Sequence, residues 1–295
     1  MNTTKPRAAF LGLGVMGSGM ARRLLGAGFP LAVYNRNPDK ASPFAADGAR
    51  VAPTPRQAAQ GADVIISMVA DDHASRAVWL GPDGALAGAA PGTVCIESST
   101  VSLGWLRELA AAVAERRCEF LDAPVTGSKV HAASGELNFL VGSSASTLDK
   151  VRPVLAAMSK SVVPLGPTGS GAMVKLINNF VCGVQVASLA EALAMIERSG
   201  LDRNKALEIL TNGAPGSPLV KMVSSRMTAA DYTPNFALRL MAKDLDYAMN
   251  EAAKLNLALE TASAALDRFK LALAARLGDK DMAALFEILK DQTRR

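Results

Sequence analysis

The spacing of hydrophobic and polar positions changes a little past the middle of the chain. As far as residue 165, short apolar or β-branched runs alternate with segments of helical periodicity, such as residues 17–26 and 103–116. The short runs are typical of strands, and strands that alternate with helices predict βαβ units in a mostly parallel sheet. The predicted strands are residues 8–11, 31–34, 64–68, 94–97, 119–122, 137–141 and 161–164.

The second part of the chain predicts helices alone. From Thr168 onward no run keeps the two-residue period of a strand, and helical segments are interrupted at residues 199–200, 212–218 and 231–234. The first helix is predicted from about Ser170 to Arg198, and it is apolar on most faces, which indicates a central, buried helix. The pattern therefore predicts an α/β domain over residues 1–166 and an all-α domain over residues 167–295.

Composition and charge narrow the class of protein. The 295 residues are enough for two domains, and 49% hydrophobic with 20% charged residues is an ordinary globular balance. The net charge of +5 is spread along the chain, and no basic run exceeds two residues. Nucleic-acid binding, which needs clustered positive charge, is therefore not expected, whereas an anionic cofactor or substrate is compatible with the charge.

The cysteines and apolar stretches predict a soluble, cytoplasmic protein without a metal site. Cys95, Cys118 and Cys182 are far apart in the sequence, in no pattern typical of zinc ligands or of a disulfide framework. The N-terminus lacks the apolar stretch of a signal peptide. Residues 176–196 have the length of a membrane span but contain Asn178, Asn179, Gln185 and Glu191, so we expect a helix buried in protein.

A glycine motif predicts a dinucleotide site. Residues 12–17 have the pattern GxGxxG, directly after a predicted strand and before a predicted helix. Gly12 permits the tight turn, Gly14 leaves room for a pyrophosphate, and Gly17 lets the helix pack close to the sheet. The helix N-terminus then offers N–H groups to the phosphates. The residues expected to contact the cofactor here are Gly12, Leu13, Gly14, Val15, Met16 and Gly17.

The end of the second predicted strand favours NADP(H) over NAD(H). An NAD-preferring site usually has an acidic residue there, whereas this chain has Asn35 and Arg36. Arg36 can pair with a 2′-phosphate, and Lys40 can add a second positive charge. Further strand ends are expected to line the cofactor cleft, with Met68, Val69 and Thr100 as the contacting residues.

Two later segments are candidates for the chemistry. The loop at residues 122–128 contains Pro, Gly and hydroxyl residues and can hold a carboxylate, although such a loop is also an ordinary turn. Lys175 and Asn179 lie one helical turn apart in an apolar stretch, where a desolvated lysine with a lowered pKa is a suitable proton donor. A solvated surface lysine is the alternative. Residues 236–245 are predicted to form an amphipathic helix, and its Lys243–Asp244 pair, taken alone, is expected to face water.

These motifs, in this order, resemble the β-hydroxyacid dehydrogenases, which include the 3-hydroxyisobutyrate dehydrogenases. The resemblance covers nearly the whole chain and rests on residues 12–20, 122–127, 169–179 and 243–244. It implies a Rossmann domain, a long interdomain helix, and a helical C-terminal domain that forms homodimers or homotetramers. It also implies a catalytic acid/base at Lys175 with Asn179 beside it. The remaining roles it implies are carboxylate binding by Thr126 and Gly127, cofactor or substrate contact by Lys243, nearby positions for Phe236 and Asp244, and nicotinamide contact by Thr100.

Two departures from the family pattern bear on the substrate, and the second of them points to a subfamily. Thr126 stands where the family usually has Ser, and Gly127 is followed by Ser128-Lys129 where many members have a second glycine. The Gly-Ser-Lys continuation and residues 213–218 look like the glyoxylate/succinic semialdehyde reductases. We therefore predict NADPH-dependent reduction of a small aldehyde-acid, with Thr126, Gly127 and Ser128 binding the carboxylate and Lys175 supplying the proton.

Three other functions are compatible with parts of the pattern. The chain can be an oxidising β-hydroxyacid dehydrogenase, which cofactor preference and relative rates would distinguish. Imine reductases resemble the same order of motifs but generally lack the lysine, so Lys175 argues against that activity. A non-catalytic NADP-binding protein is disfavoured by the presence of Lys175, Asn179 and Lys243 together. His73 and His131 are expected to be surface or supporting residues.

Overall fold

The computed structural model describes residues 5–290 and separates into two compact units. The first unit ends at Lys175 and the second begins at Leu176. This division lies later in the chain than the domain boundary predicted at residue 166. The start of the long helix groups with the first unit because the backbone N–H groups of Gly169 and Ala172 donate hydrogen bonds to Asp122.

The first unit contains a nine-stranded sheet in the order β3-β2-β1-β4-β5-β6-β8-β7, with β9 paired to β8. The first six strands in this order, β3 to β6, are parallel to one another. Strand β8 is antiparallel to β6 and to β7, and β9 is parallel to β8. The strands are β1 Ala8–Leu11, β2 Leu31–Tyr34, β3 Arg50–Val51, β4 Val64–Ser67, β5 Val94–Glu97, β6 Glu119–Asp122, β7 Val125–Thr126, β8 Leu137–Gly142 and β9 Ser159–Gly166.

Helices connect these strands, and most begin at a side chain that accepts a hydrogen bond from the first turn. Thr54, Asp71, Ser102 and Ser144 cap α3, α4, α5 and α7 in this way. The mostly parallel sheet with its intervening helices confirms the predicted Rossmann-type domain. The helices are α1 Gly17–Gly26, α2 Pro43–Ala46, α3 Pro55–Ala59, α4 Asp72–Trp79, α5 Leu103–Glu115, α6 Lys129–Ser134 and α7 Ala145–Ala156.

The second unit is helical throughout the part of the chain that the structure describes. Its one strand-like contact within residues 176–290 is an isolated bridge between Ala237 and Asp281. The prediction of an all-α second part is confirmed, including the long helix with the predicted bounds. The helices are α8 Ser170–Arg198, which starts in the first unit, α9 Arg203–Asn212, α10 Pro218–Ala229, α11 Leu238–Lys254, α12 Glu260–Ala274 and α13 Glu287–Lys290.

Helix α8 passes through the core of the second unit. Val186, Leu189 and Leu193 are buried there, and Gly183 lets α8 approach α11, since a Cβ at that position would lie 2.9 Å from Leu245 Cδ2. By length and composition alone the helix could cross a membrane, with a mean hydropathy of 1.5. Although only 44% of its most apolar window is buried, the helix carries the buried polar residue Asn179, which favours packing against protein over contact with lipid.

Candidate active site

The glycine loop after β1 has a backbone that larger residues would disrupt. Gly12 has a φ of +104°, and a Cβ there would lie 2.3 Å from the carbonyl oxygen of Met68. A Cβ at Gly17 would lie 2.0 Å from the carbonyl oxygen of Gly12. Both distances are far below van der Waals contact, so the tight turn and the close start of α1 each require glycine.

The outer rim of this loop is open. A Cβ at Gly14 would meet no protein atom within 4 Å, and Val15 is 54% exposed. Ser18 Oγ donates to the carbonyl oxygen of Leu13 at 2.9 Å, and Met16 precedes the first turn of α1. The loop therefore leaves an accessible space at a helix N-terminus, which fits the pyrophosphate of a dinucleotide.

Asn35, at the end of β2, holds the glycine loop. Its side-chain oxygen accepts the backbone N–H of Leu13 at 2.8 Å, and its side-chain nitrogen donates to the carbonyl oxygen of Asn37 at 2.9 Å. Sequence reasoning placed Asn35 among the cofactor contacts, and the structure adds this supporting role. Arg36 is exposed, and within residues 5–290 no carboxylate pairs with its guanidinium. Lys40 is exposed as well.

Residues after β4 and β5 lie beside the glycine loop. The Met68 carbonyl and the Val69 side chain would both meet a Cβ at Gly12, so these segments are in close contact. The backbone N–H of Val69 donates to Ser99 Oγ at 2.8 Å, and Thr100 follows as a half-buried residue. The predicted cofactor residues Met68 and Val69 are thus brought next to the glycine motif.

The candidate carboxylate-binding loop follows β6 and includes β7. Thr126 pairs with Asn138 of β8, whose side-chain nitrogen is 3.4 Å from Thr126 Oγ1. Gly127 has a φ of +126°, and a Cβ there would lie 2.9 Å from Leu137. Ser128 then caps α6. The predicted residues form a tight turn with two half-buried hydroxyl groups around an exposed glycine.

His131 supports this loop from the first turn of α6. Its Nδ1 accepts the backbone N–H of Ser128 at 3.1 Å and lies 2.9 Å from Ser128 Oγ. The spacing Ser-x-x-His is that of a capping box, with histidine in the place usual for Glu or Gln, and this was the available sequence signal. His73 is exposed in the first turn of α4.

Asp122 is a buried carboxyl group that sequence reasoning left without a role. It accepts the backbone N–H groups of Gly169 at 2.6 Å and Ala172 at 2.7 Å, so it caps α8 from the sheet. Burial raises the pKa of Asp122 to about 6, while the hydrogen bonds from Gly169 and Ala172 oppose the rise. Asp122 therefore joins the strand before the candidate carboxylate loop to the helix that carries Lys175.

Lys175 and Asn179 lie one turn apart on α8, as predicted. Lys175 is half-buried, and Asn179 is 4% exposed. Asn179 Nδ2 donates to Asp244 Oδ2 at 2.5 Å, and its Oδ1 accepts from Asn178 at 3.0 Å. The amide of Asn179 is therefore fixed in orientation by a buried carboxylate.

The expectation that the Lys243–Asp244 pair faces water is wrong. Asp244 is 1% exposed, because α11 packs it against Asn179 in the core of the second unit. Lys243 Nζ lies 2.8 Å from Asp244 Oδ1 and 4.7 Å from the centre of the Tyr247 ring. Lys243, Asp244 and Asn179 thus form one connected polar cluster.

Phe236 lies in the loop before α11 and not inside a helix, because α11 begins at Leu238. The backbone N–H groups of Asn235 and Phe236 donate to Asp281 Oδ2 at 2.8 and 3.0 Å. Asp281 is 1% exposed, so a second buried carboxylate fixes this loop. The Phe236 side chain is partly buried against the helical core.

The first unit also has an open cleft that none of the predicted site residues line. It has a volume of about 560 Å³ and lies between α5 and the segment that leads into α8. Leu106, Arg107, Leu165 and Met173 are among its lining residues. Within residues 5–290, no group of three or more His, Cys, Asp or Glu side chains is placed to hold a metal ion.

Two family models match consecutive parts of the chain. Residues 7–166 match the model described as the NAD binding domain of 6-phosphogluconate dehydrogenase. Residues 169–289 match the model described as the NAD-binding region of NADP-dependent 3-hydroxyisobutyrate dehydrogenase. The two matches divide the chain between the sheet domain and the helical part.

Similar proteins of known name match the chain over nearly its whole length. An NAD-dependent L-serine dehydrogenase of Pseudomonas aeruginosa is 36% identical over 284 residues, which cover 94% of this chain and 95% of the relative. Glyoxylate/succinic semialdehyde reductase 2 of Arabidopsis thaliana, a chloroplastic protein, is 33% identical over 281 residues, which cover 95% of this chain and 78% of the relative. The solved structure of Mycobacterium tuberculosis 3-hydroxyisobutyrate dehydrogenase with L-serine has a TM-score of 0.86 at 34% identity and covers 97% of this chain and 99% of that one.

Proposed function

The chain belongs to the β-hydroxyacid dehydrogenase family, and we propose that it uses NADPH to reduce small aldehyde-acids such as succinic semialdehyde and glyoxylate to hydroxy acids. The observation that carries this proposal is the pair Lys175 and Asn179, one turn apart on α8, with the amide of Asn179 fixed by buried Asp244. A proton donor and an oriented amide on one face of a helix suit a carbonyl that becomes an alkoxide.

The nicotinamide cofactor, when bound, supplies the hydride to the carbonyl carbon. Lys175 donates the proton to the developing alkoxide, and Asn179 orients the reacting oxygen by hydrogen bonding. Thr126, Gly127 and Ser128 hold the substrate carboxylate through backbone N–H and hydroxyl groups, which fixes the distance to Lys175. Positioning of this kind can lower a barrier by several kcal/mol. Lys243, joined to Asp244 at 2.8 Å, contacts the cofactor or substrate.

The proposal of NADP(H) rests on the end of β2. Arg36 is exposed, and the two residues that end the strand and begin the loop, Tyr34 and Asn35, carry no carboxylate to repel a 2′-phosphate. A guanidinium pairs with phosphate through two parallel hydrogen bonds, so Arg36 can recognise the group that distinguishes NADP from NAD. The glycine loop serves either cofactor, so Arg36 carries the preference.

The proposed substrate class rests on the loop and on one relative. Ser128 and Lys129 continue the loop with a hydroxyl group and a positive charge, and Thr126 adds a methyl group that narrows the pocket. The Arabidopsis relative is named as a glyoxylate/succinic semialdehyde reductase. Both features favour a small carboxylate substrate with an aldehyde.

Oxidation of a β-hydroxyacid is the second candidate function. The Pseudomonas relative is named as an L-serine dehydrogenase, and the Mycobacterium structure was solved with L-serine. Serine and 3-hydroxyisobutyrate both place a hydroxyl group two carbons from a carboxylate. The same loop and the same lysine would serve this reaction, with Lys175 accepting the proton.

Initial rates with a panel of substrates and both cofactors decide between the two functions. The reduction arm uses succinic semialdehyde, glyoxylate, tartronate semialdehyde and methylmalonate semialdehyde, each with NADPH and with NADH. The oxidation arm uses L-serine and 3-hydroxyisobutyrate with NADP⁺ and NAD⁺. The proposal expects the highest kcat/KM for succinic semialdehyde or glyoxylate with NADPH. A higher kcat/KM for oxidation of L-serine with NAD⁺ than for any reduction with NADPH would contradict this proposal and favour the second function.

We further propose a cytoplasmic homodimer or homotetramer with no nucleic-acid or membrane partner. Helix α8 exposes large apolar side chains along one side, among them Ile177, Val181 and Met195, which is 74% exposed. A row of exposed apolar side chains suits a second copy of the chain. Sedimentation velocity should give at least twice the 30.7 kDa of one chain, and Met195→Glu should lower that mass. Leu255→Glu, on another exposed apolar residue, is the control, and a monomeric wild type would overturn the proposal.

A further inference from the structure

A buried carboxyl group lies directly beneath the strand ends of the candidate cofactor site. Glu97 is the last residue of β5 and is fully buried. Burying a carboxyl group is costly unless hydrogen bonds satisfy its oxygens. The proposed mechanism gives Glu97 no role, so its partners indicate what it does.

Three donors, from two segments of the first unit, form hydrogen bonds to Glu97. Oε1 accepts the backbone N–H of Ser99 at 2.8 Å, in the loop after β5. Oε2 accepts Ser75 Oγ at 2.5 Å and Trp79 Nε1 at 2.9 Å, both from α4. A carboxylate has enough lone pairs to gather several donors, and here all of these donors are neutral.

The network continues to the backbone beside the glycine loop. Ser99, whose N–H is held by Glu97, accepts the N–H of Val69 through its Oγ at 2.8 Å. Val69 in turn lies against Gly12, since its Cγ1 would be 2.9 Å from a Cβ there. Glu97 thus fixes the loop after β5, which contains Thr100, by a direct hydrogen bond. It fixes the loop after β4 through the hydroxyl group of Ser99.

We infer that Glu97 is a positioning residue for the cofactor site, which sets the Val69 and Thr100 segments through Ser99. The inference rests on the proposed cofactor binding and adds Glu97, which the sequence did not indicate. Removing one acceptor oxygen from this buried group breaks at least one of its hydrogen bonds, so the two loops would lose part of their common anchor.

The chain has a built-in probe of this network. It has two tryptophans, and both donate indole N–H groups into the network. Trp79 Nε1 donates to Glu97, and Trp105 Nε1 donates to Ser75 Oγ at 2.8 Å. Tryptophan emission therefore reports the environment of Glu97, and its change on adding nucleotide gives a dissociation constant without any turnover.

The test compares Glu97→Gln and Ser99→Ala with wild type in titrations of tryptophan emission with NADPH and with NADH. Gln keeps the size of Glu97 but turns one acceptor into a donor, while Ser99→Ala keeps Glu97 and removes the link to Val69. Glu115→Gln is the matched control, because Glu115 is an exposed glutamate at the C-terminal end of α5. Ser99→Ala also serves as the second variant if Glu97→Gln does not fold.

The inference predicts that Glu97→Gln and Ser99→Ala weaken binding of the preferred nucleotide roughly tenfold, the size expected for losing one anchoring hydrogen bond. Substrate KM at saturating nucleotide should stay at the wild-type value, and Glu115→Gln should match wild type in both nucleotide affinity and substrate KM. Folded variants with the wild-type dissociation constant would overturn the inference alone. A wild type that shows no emission response to either nucleotide and no turnover of the substrate panel would overturn the proposed function, and the inference with it.

Discussion

Single polar side chains fix the loops of the candidate site. A side chain whose polar atoms are already hydrogen-bonded within the protein supports a loop, whereas an exposed one can contact a ligand. Asn35 uses its amide on Leu13 and Asn37. Arg36, the next residue, is exposed and has no carboxylate partner within residues 5–290. The cofactor preference can therefore be tested at Arg36 without disturbing the glycine loop.

Replacing Arg36 should change the cofactor preference. Arg36→Glu places a carboxylate where a 2′-phosphate would lie, so we expect NADPH to bind at least tenfold more weakly, with NADH binding equally well or better. Dissociation constants from tryptophan emission measure both. Arg56→Glu, an exposed arginine on α3, controls for the change in net charge. Unchanged NADPH affinity in Arg36→Glu would contradict a role for this residue.

Individual residues of the candidate site could be predicted from the sequence where the backbone geometry admits only one residue type. Gly12 and Gly17 are required by close contacts with the backbone of Met68 and of Gly12, which the GxGxxG motif at the end of a strand already implies. Prediction failed for Asp244, which looked like half of a surface pair and is 1% exposed. Its partner Asn179 is distant in sequence and belongs to another helix, so no local pattern indicates the contact.

At the scale of elements, α1 and α6 connect the glycine loop to the candidate carboxylate loop. A Cβ at Gly19 of α1 would lie 2.9 Å from the backbone of Ala132 and Ala133 in α6. Helix α6 starts at Ser128, which caps it from the carboxylate loop. Close packing at Gly19 therefore affects the position of the loop proposed to bind the substrate carboxylate.

Gly19→Ala should raise the KM for the aldehyde-acid several-fold, because α6 must move to admit the added methyl group. Nucleotide affinity should change less, since Gly12–Gly17 keep their contacts. Gly26→Ala is the matched control, as it lies on the same helix and its Cβ would meet no atom within 4 Å. Equal KM values for the two variants would show that the packing of α1 on α6 does not position the loop.

Asp122 should make the stability of the first unit depend on pH. Its pKa is about 6 in the folded protein, against 3.8 for an aspartate exposed to water in an unfolded chain, so the folded protein binds more protons between these values. The free energy of unfolding should therefore fall as pH rises from about 4 to about 6, by on the order of 3 kcal/mol. Denaturant unfolding of wild type and Asp122→Asn across this range measures the difference.

Asp63 provides a control of opposite sign. The hydrogen bond from Arg7 lowers the pKa of Asp63, so its contribution is present above the unfolded pKa and is lost as pH falls. The free energy of unfolding of wild type minus that of Asp122→Asn should fall as pH rises. The same difference taken with Asp63→Asn should rise. Parallel pH curves for wild type and Asp122→Asn would contradict the effect of burial on Asp122.

The elements were predictable where they have their own periodicity. Strands of four residues such as Ala8–Leu11 and the helix Ser170–Arg198 were found from pattern alone. The two-residue strands Arg50–Val51 and Val125–Thr126 were not, because pairing with a neighbouring strand defines them and two residues carry no period. The start of α11 was misplaced by the apolar residue Phe236, which Asp281 holds outside the helix.

At the scale of the whole molecule, the two-part pattern of the sequence corresponds to a sheet unit and a helical unit. The contact boundary between Lys175 and Leu176 lies inside α8, so the helix is continuous across it. Sequence pattern located the change from strands to helices, but the hydrogen bonds from α8 to Asp122 decide which unit holds the first turns. The candidate proton donor Lys175 is the last residue of the first unit.

The most direct test of the account is a single-turnover reduction of succinic semialdehyde and of glyoxylate by NADPH with wild type and Lys175→Ala. Lys160→Ala, an exposed lysine of β9, is the control, and tryptophan titration checks that each variant binds NADPH. The account predicts a loss of about 10² to 10⁴ in the rate for Lys175→Ala alone, the range expected for removing a general acid, with unchanged NADPH affinity. Wild-type rates in Lys175→Ala would contradict its role as the proton donor.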